Sequence, residues 1–284
     1  MRKEKIIKAT EEARIIDETD DFAVLWKPPR MHCAPLKPGE GGTLLDWYAG
    51  VFPAVLALRG RKDGEGGLVH RLDFETRGLT LVAKNQQALE FLLARQDEGV
   101  FVKEYGALCL KAGAPLPGFP PPQALPGFSS SSPFPPLIIE SFFRPFGPGR
   151  KQVRPVSGEG RKFRKIAKNR GGFYTTEISA ASPIHPDDSA PRRSGTGAIP
   201  LYRFTVKIIR GFRHQIRCHL SWIGYPILND PLYGAPETTP EAARGFLALR
   251  SQGLFFPDPR TGEDREYRLS SLTKPAMCPF NVYH

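Results

Sequence analysis

The chain has 284 residues, 40% of them hydrophobic and 24% charged, enough to bury a full core in one large domain or two smaller ones. Its 40 Lys and Arg against 29 Asp and Glu give a formal charge of +11, which points to a polyanionic partner, either nucleic acid or an acidic membrane surface. The N-terminal MRKEKIIKATEEARIID alternates charge without an apolar core, and no window is long and apolar enough to span a bilayer. The four cysteines are scattered without a CxxC pair, which argues against a disulfide framework or a zinc ribbon and fits a reducing compartment, the cytoplasm.

In chain order, residues 1–14 read as a charged lead-in, with ordered structure starting near Ile15. Residues 22–26 (FAVLW) predict a strand stopped by Lys27-Pro28-Pro29. Thr43 is placed to cap a short helix carrying Leu44, Leu45 and Trp47. A glycine-rich loop at 62–67 leads into GLVHRLDFETRGLTLVAK (67–84), which reads as two strands meeting at a turn. On a strand Arg71 and Asp73 would share a face, and Arg77 would sit in the turn. Residues 86–95 place Ala88, Leu89, Leu92 and Leu93 at helical spacing, Gly99 ends that helix, and VFVKEYGALCL (100–110) predicts another strand.

Residues 111–136 hold nine prolines, three glycines and four serines, the composition of an extended loop or insertion. Residues 150–170 carry nine Lys or Arg against one acid, Glu159: a solvated loop, or a contact to a nucleic-acid backbone. Strands are expected at 173–181 and 201–209. Residues 210–223 predict a helix with Ile216, Leu220 and Ile223 on a buried face and Arg213 and Arg217 opposite. A strand-like 254–256 and a polar tail close the chain. Strands and helices mix without a regular βαβ rhythm, and no internal repeat is visible. The expectation is an α+β fold with a mixed, mostly antiparallel central sheet flanked by helices and loops. Residues 15–284 would form one domain, with 111–136 inserted in it.

No Walker loop, GxGxxG after a strand, GxSxG elbow or HExxH is present, so nucleotide hydrolysis, dinucleotide binding and serine hydrolysis have no support. His70, His214 and His219 have no spacing that recommends a metal site. Two constellations remain: His70-Arg71-Leu72-Asp73, and Arg210-Gly211-Phe212-Arg213-His214-Gln215-Ile216-Arg217. Taken alone, each reads rather as an ion pair tying the turn to the helix, since ion pairs far outnumber catalytic carboxylates.

Together these blocks resemble the RluA-type pseudouridine synthases. His70-Arg71-Leu72-Asp73 followed by Thr76, Gly78 and Ala83-Lys84 is similar to that family's HRLD motif, and Lys103-Glu104-Tyr105 to its K-x-Y strand. His214-Gln215-Ile216-Arg217, Gly224-x-Pro226-Ile227 and Asp230-x-x-Tyr233-Gly234 resemble its HQIR segment and sequel, and residues 22–28 its first strand ending in Lys-Pro. The resemblance implies a cofactor-free, metal-free isomerase that converts uridine to pseudouridine in folded rRNA or tRNA and acts as a monomer. It implies Asp73 as nucleophile, on ribose C1′ or uracil C6, Arg217 as its ion partner, and Tyr105 stacked on the target base. Arg71 would displace the uridine from its helix. His70, Arg77, Arg213, His214 and Gln215 are further candidate RNA contacts, as are Arg161, Lys162, Arg164 and Lys165 in the basic stretch.

The chemistry fits those residue types. Breaking a C–N glycosidic bond and rejoining at carbon suits a carboxylate nucleophile. Burial opposes a carboxylate's charge, and a nearby guanidinium restores it. Reaching a paired uridine requires flipping it out, which a stacking aromatic and an inserted arginine support. The chain departs from the family at Arg77, where Ser is usual, at Phe212-Arg213 before the HQIR segment, and at Asn229. No S4-type RNA-binding domain is expected ahead of the first strand. A catalytically inactive RNA-binding paralogue is the alternative reading; a membrane-surface protein lacks the amphipathic basic helix it would need.

Overall fold

The structure, a computed structural model, describes residues 12–37, 39–112, 136–157, 173–184, 201–234 and 245–269. Most of the Pro/Ser-rich insertion lies outside the described residues, as do Arg161, Lys162, Arg164 and Lys165 of the basic stretch. The described residues fall into two compact units, the first within Met1–Tyr105 and Arg250–His284, the second within Gly106–Leu249.

In the first unit, β1 (Arg14–Glu18) pairs antiparallel with β2 (Phe22–Lys27), and β2 with β3 (Arg77–Ala83). Next in order come β9 (Leu249–Pro257) and residues 102–105 of β4 (Val102–Leu110). β9 runs parallel to β3 and carries β10 (Asp264–Arg268) antiparallel on its other half. Every residue of β2 and β3 is buried, which is why FAVLW and GLTLVA read as unbroken apolar runs. Two helices complete this unit. In α1 (Leu44–Ala49) Thr43 accepts a hydrogen bond from the Asp46 amide while the Asp46 carboxylate accepts one from the Thr43 amide, a capping box. In α2 (Gln86–Asp97) the Asn85 side chain caps Ala88 at 2.8 Å, and Ala88, Leu89 and Leu92 turn inward. The core joins these to an aromatic set: Phe256 meets Phe22 edge-on at 5.3 Å and Phe101 at 5.7 Å, and stacks on Tyr267 at 5.9 Å.

In the second unit the order is the remainder of β4, then β8 (Leu201–Ile208), β7 (Tyr174–Ile184), β5 (Leu137–Phe146) and β6 (Gln152–Val156). Pairings from β8 to β6 are antiparallel. The single helix described here, α3 (Gln215–Trp222), packs on β6 and β7. The architecture is thus the expected mixed, mostly antiparallel α+β fold.

Five local readings change. The first arm of the 67–84 stretch is not a strand: only Leu68 bridges Val82, and residues 69–76 leave the sheet. The helix expected over 210–223 begins only at Gln215, because His214 takes a left-handed φ of 57°. α3 is buried all round, so no solvent face carries Arg213 and Arg217 together. The basic stretch starts with a strand, β6, whose Val153 and Arg154 are buried. The polar tail contains β10, an edge strand whose charges hid it: Arg265 pairs with Asp258 at 2.7 Å and Tyr267 donates to Asp17 at 2.8 Å.

Candidate active site

The HRLD segment begins as a strand partner and then leaves. The Ala83 amide donates to the Gly67 carbonyl at 2.7 Å and the Val69 amide to Leu81 at 3.1 Å. At the next position His70 Nε2, not a carbonyl, accepts the Leu81 amide at 3.2 Å. A side chain has replaced the backbone acceptor, so the ladder stops and the chain turns away, closed by the Thr76 amide on the Asp73 carbonyl at 3.0 Å. An accepting Nε2 assigns the ring proton to Nδ1. Burial, then the Lys103 charge, pushes His70 well below the usual imidazole range and keeps it neutral.

Two side chains fasten the turn that carries Asp73. Lys27 ends β2 fully buried, and its ammonium donates to the carbonyls of Met31 at 2.8 Å, Pro28 at 2.9 Å and Phe74 at 3.3 Å. Burial lowers Lys27 from 10.5 to about 8, with the charges of Asp73 and Glu75 acting against the fall. Cys33, 3% exposed, accepts the Leu72 amide at 3.1 Å and donates to the Leu72 carbonyl at 3.4 Å. The residue before Asp73 and the residue after it are therefore each held by a buried group.

Asp73 itself is half-buried. Tyr105, 5% exposed at the middle of β4, has its hydroxyl pushed well above the usual phenol range, first by burial and next by the Asp73 charge. The first unit thus brings the expected nucleophile and the expected stacking tyrosine within electrostatic reach of one another. Arg71 keeps 48% of its side chain exposed and pairs with Glu65 at 3.0 Å, so the turn-stabilising partner of this arginine is Glu65. Arg77 is not in the turn: it is the first residue of β3, 5% exposed, in register with Arg250. His70, at 8%, is likewise turned into the protein. Neither presents the exposed group that a phosphate contact needs.

The HQIR segment lies in the second unit, where Arg217 is 2% exposed and grips Asp230 with two parallel bonds of 2.8 Å, Nε to Oδ2 and Nη2 to Oδ1. Asp230 Oδ1 also accepts the amides of Leu232 and Tyr233, at 2.8 and 3.0 Å. Tyr233 then accepts the Val153 amide at 2.8 Å through its hydroxyl, which also meets His214 Nδ1 at 3.2 Å. The Asp230-x-x-Tyr233 spacing is what lets one carboxylate turn the chain, hold the arginine and aim the tyrosine. Gln215 is buried, its amide donating to the Thr175 carbonyl and the Thr176 hydroxyl and accepting the Phe212 amide. It fixes the start of α3 and has no free end for RNA. Arg213 is exposed and donates to the carbonyl of Arg150 at 2.7 Å. His219, fully buried between Ser141 and Thr176 at 2.8 Å each, is held neutral by burial, which lowers it to about 3.

Lys27, Cys33 and Asp230 were not assigned a role from sequence. The signal for Lys27 was a lone lysine closing an otherwise apolar strand; for Asp230 it was membership of the last block. Among the described residues, no group of three His, Cys, Asp or Glu side chains is arranged to hold a metal ion, and no helix is long and apolar enough to cross a membrane.

Comparison with known families matches residues 21–222 to RNA pseudouridylate synthase, a span that includes the HRLD, K-x-Y and HQIR blocks. The chain belongs to the RNA pseudouridylate synthase family. Among curated members, an uncharacterized RNA pseudouridine synthase of Chloroflexus aurantiacus is 27% identical over 242 residues, 85% of this chain and 60% of that one. The ribosomal large subunit pseudouridine synthase D of Vibrio parahaemolyticus is 24% identical over 265 residues, 89% of this chain and 65% of that one. The chain therefore spans less than two thirds of the length of these relatives. Among solved structures, human RNA pseudouridylate synthase domain containing 1 superposes with a TM-score of 0.60 at 20% identity, covering 97% of this chain and 89% of that one. This likeness places the chain in the pseudouridylate synthase fold.

Proposed function

We propose that the chain isomerises uridine to pseudouridine in structured RNA, with Asp73 as the nucleophile. The observation that carries this reading is the fastened turn: Lys27 and Cys33 hold the backbone on both sides of Asp73, next to buried Tyr105. A nucleophile gains most from being fixed before its substrate arrives. The carboxylate attacks ribose C1′ or uracil C6, the N1–C1′ bond breaks, the base rejoins through C5 as the carboxylate leaves, and the proton lost from C5 is balanced by one taken up at N1. Substrate and product contain the same atoms, so no co-substrate is consumed. Tyr105 would face the flipped uracil, and Arg71 would enter the stem in its place. Arg71, Arg213 and the basic stretch around Arg161, Lys162, Arg164 and Lys165 would carry the RNA backbone.

The substrate class we favour is ribosomal RNA, since the Vibrio relative is named for the large ribosomal subunit; transfer RNA is the other class to be scored. Pseudouridine mapping across all RNA from cells with and without the gene tests the reading. A uridine that stays unmodified only in the deleted strain identifies the substrate, whereas identical maps refute the assignment.

A further inference from the structure

We propose that Phe74 and His32 form a stacking subsite for an RNA nucleobase beside the uridine that Asp73 attacks. This rests on the catalytic reading above and adds to it a contact that recognises the neighbouring nucleotide. Phe74 follows Asp73 directly and leaves 39% of its surface in solvent. Its ring lies 4.6 Å from that of His32, the planes inclined by 38°. A single exposed phenylalanine is unremarkable on a protein surface. What sets this one apart is how firmly the pair is held. Lys27 bonds the carbonyl of Phe74 itself and that of Met31, the residue before His32. The His32 carbonyl in turn accepts the Leu44 amide at the start of α1, at 2.9 Å.

The two rings thus stand on backbone anchored in the core, while their outer surface is open. An aromatic platform ordered in advance loses little freedom when a flat ligand lands on it. Arg71, half-exposed and three residues earlier, adds a cation on the same turn. Aromatic faces beside cations are how proteins hold unstacked bases of single-stranded or looped RNA.

The test is equilibrium binding of a short single-stranded oligouridylate, followed by fluorescence anisotropy, against an abasic oligomer of equal length. Replacing Phe74→Ala should weaken oligouridylate binding about 5- to 150-fold, the loss expected for one base–aromatic stack. Phe74→Trp should keep wild-type affinity, and neither change should move the abasic oligomer. Unchanged oligouridylate affinity in Phe74→Ala, or an equal loss on both oligomers, would overturn the subsite. The outcome separates from that of the catalytic reading. Wild-type protein that makes pseudouridine while Phe74→Ala binds normally removes the subsite alone. A base-dependent loss in Phe74→Ala, in a protein that makes no pseudouridine, removes the catalytic reading alone.

Discussion

Lys27→Met exchanges a buried ammonium for an apolar chain of similar length, and two opposing effects set the result. The fall of Lys27 from 10.5 to about 8 means that its charge costs the folded state about 3 kcal/mol at neutral pH, at about 1.4 kcal/mol per pKa unit. Removing the ammonium also leaves the carbonyls of Pro28, Met31 and Phe74 without this donor, at about 2 kcal/mol each. The expected net loss is therefore about 3 kcal/mol at pH 7. Its pH dependence is more telling. Between about 8 and 10.5 the unfolded lysine holds its proton while the folded one has shed it, so stability rises with pH across that window. Below about 8 the full penalty applies, and above 10.5 it is gone. The variant lacks this rise, so the stability gap should widen by about 3 kcal/mol as pH climbs through the window, other titrations cancelling between the two proteins. Urea denaturation of both proteins at a series of pH values measures it. A gap that stays flat or narrows would refute the reasoning, because it would show that burial does not penalise the ammonium. Where the variant is folded, its turnover on RNA should drop about 100-fold, since the turn bearing Asp73 has lost its anchor.

Two further substitutions probe the fold around the site. Gly78 has a φ of +125°, and a Cβ there would lie 2.2 Å from the Ser251 carbonyl oxygen across the parallel β3–β9 pair; Gly78→Ala should destabilise by at least about 3 kcal/mol in urea denaturation, and a loss below about 1 kcal/mol would contradict the close approach. Asp230→Asn removes the charge balancing buried Arg217 and should cost about 3–5 kcal/mol, with wild-type stability in the variant showing that the bidentate pair is not what fixes α3 to its loop.

What the sequence made legible was whatever a short window decides. α1 announces itself through Thr43 as a cap, α2 through leucines at helical spacing, and β2 and β3 through unbroken apolar runs. The HRLD arm failed because a side chain, His70, takes the acceptor's place that a strand would give to backbone, a substitution that no periodicity reveals. The HQIR helix was drawn too long because His214 bends left-handed, held by Tyr233 from a later loop. β10 was missed for lack of apolar residues; its pairing depends on β9, on nearby Asp258 and on Asp17, 250 residues earlier in the chain. Ordered motifs single out Asp73, Tyr105 and Arg217 as candidates. Lys27 and Cys33, which hold the turn bearing Asp73, act through contacts that no motif encodes, and the pairing of Asp230 with Arg217 is not written in the block that contains it. Among the residues expected to touch RNA, Arg71 and Arg213 are exposed, whereas His70, Arg77 and Gln215 are turned inward.

The central claim is that the Asp73 carboxylate attacks the nucleoside. Its most direct test is single-turnover incubation of wild-type protein and Asp73→Asn with modification-free ribosomal and transfer RNA transcripts, scoring pseudouridine by mass spectrometry and RNA affinity in parallel. The account predicts pseudouridine at a defined uridine with the wild type and none with Asp73→Asn, at RNA affinity unchanged within about twofold because the substitution preserves shape and leaves the basic surface alone. Pseudouridine formed by Asp73→Asn at the wild-type rate would contradict it.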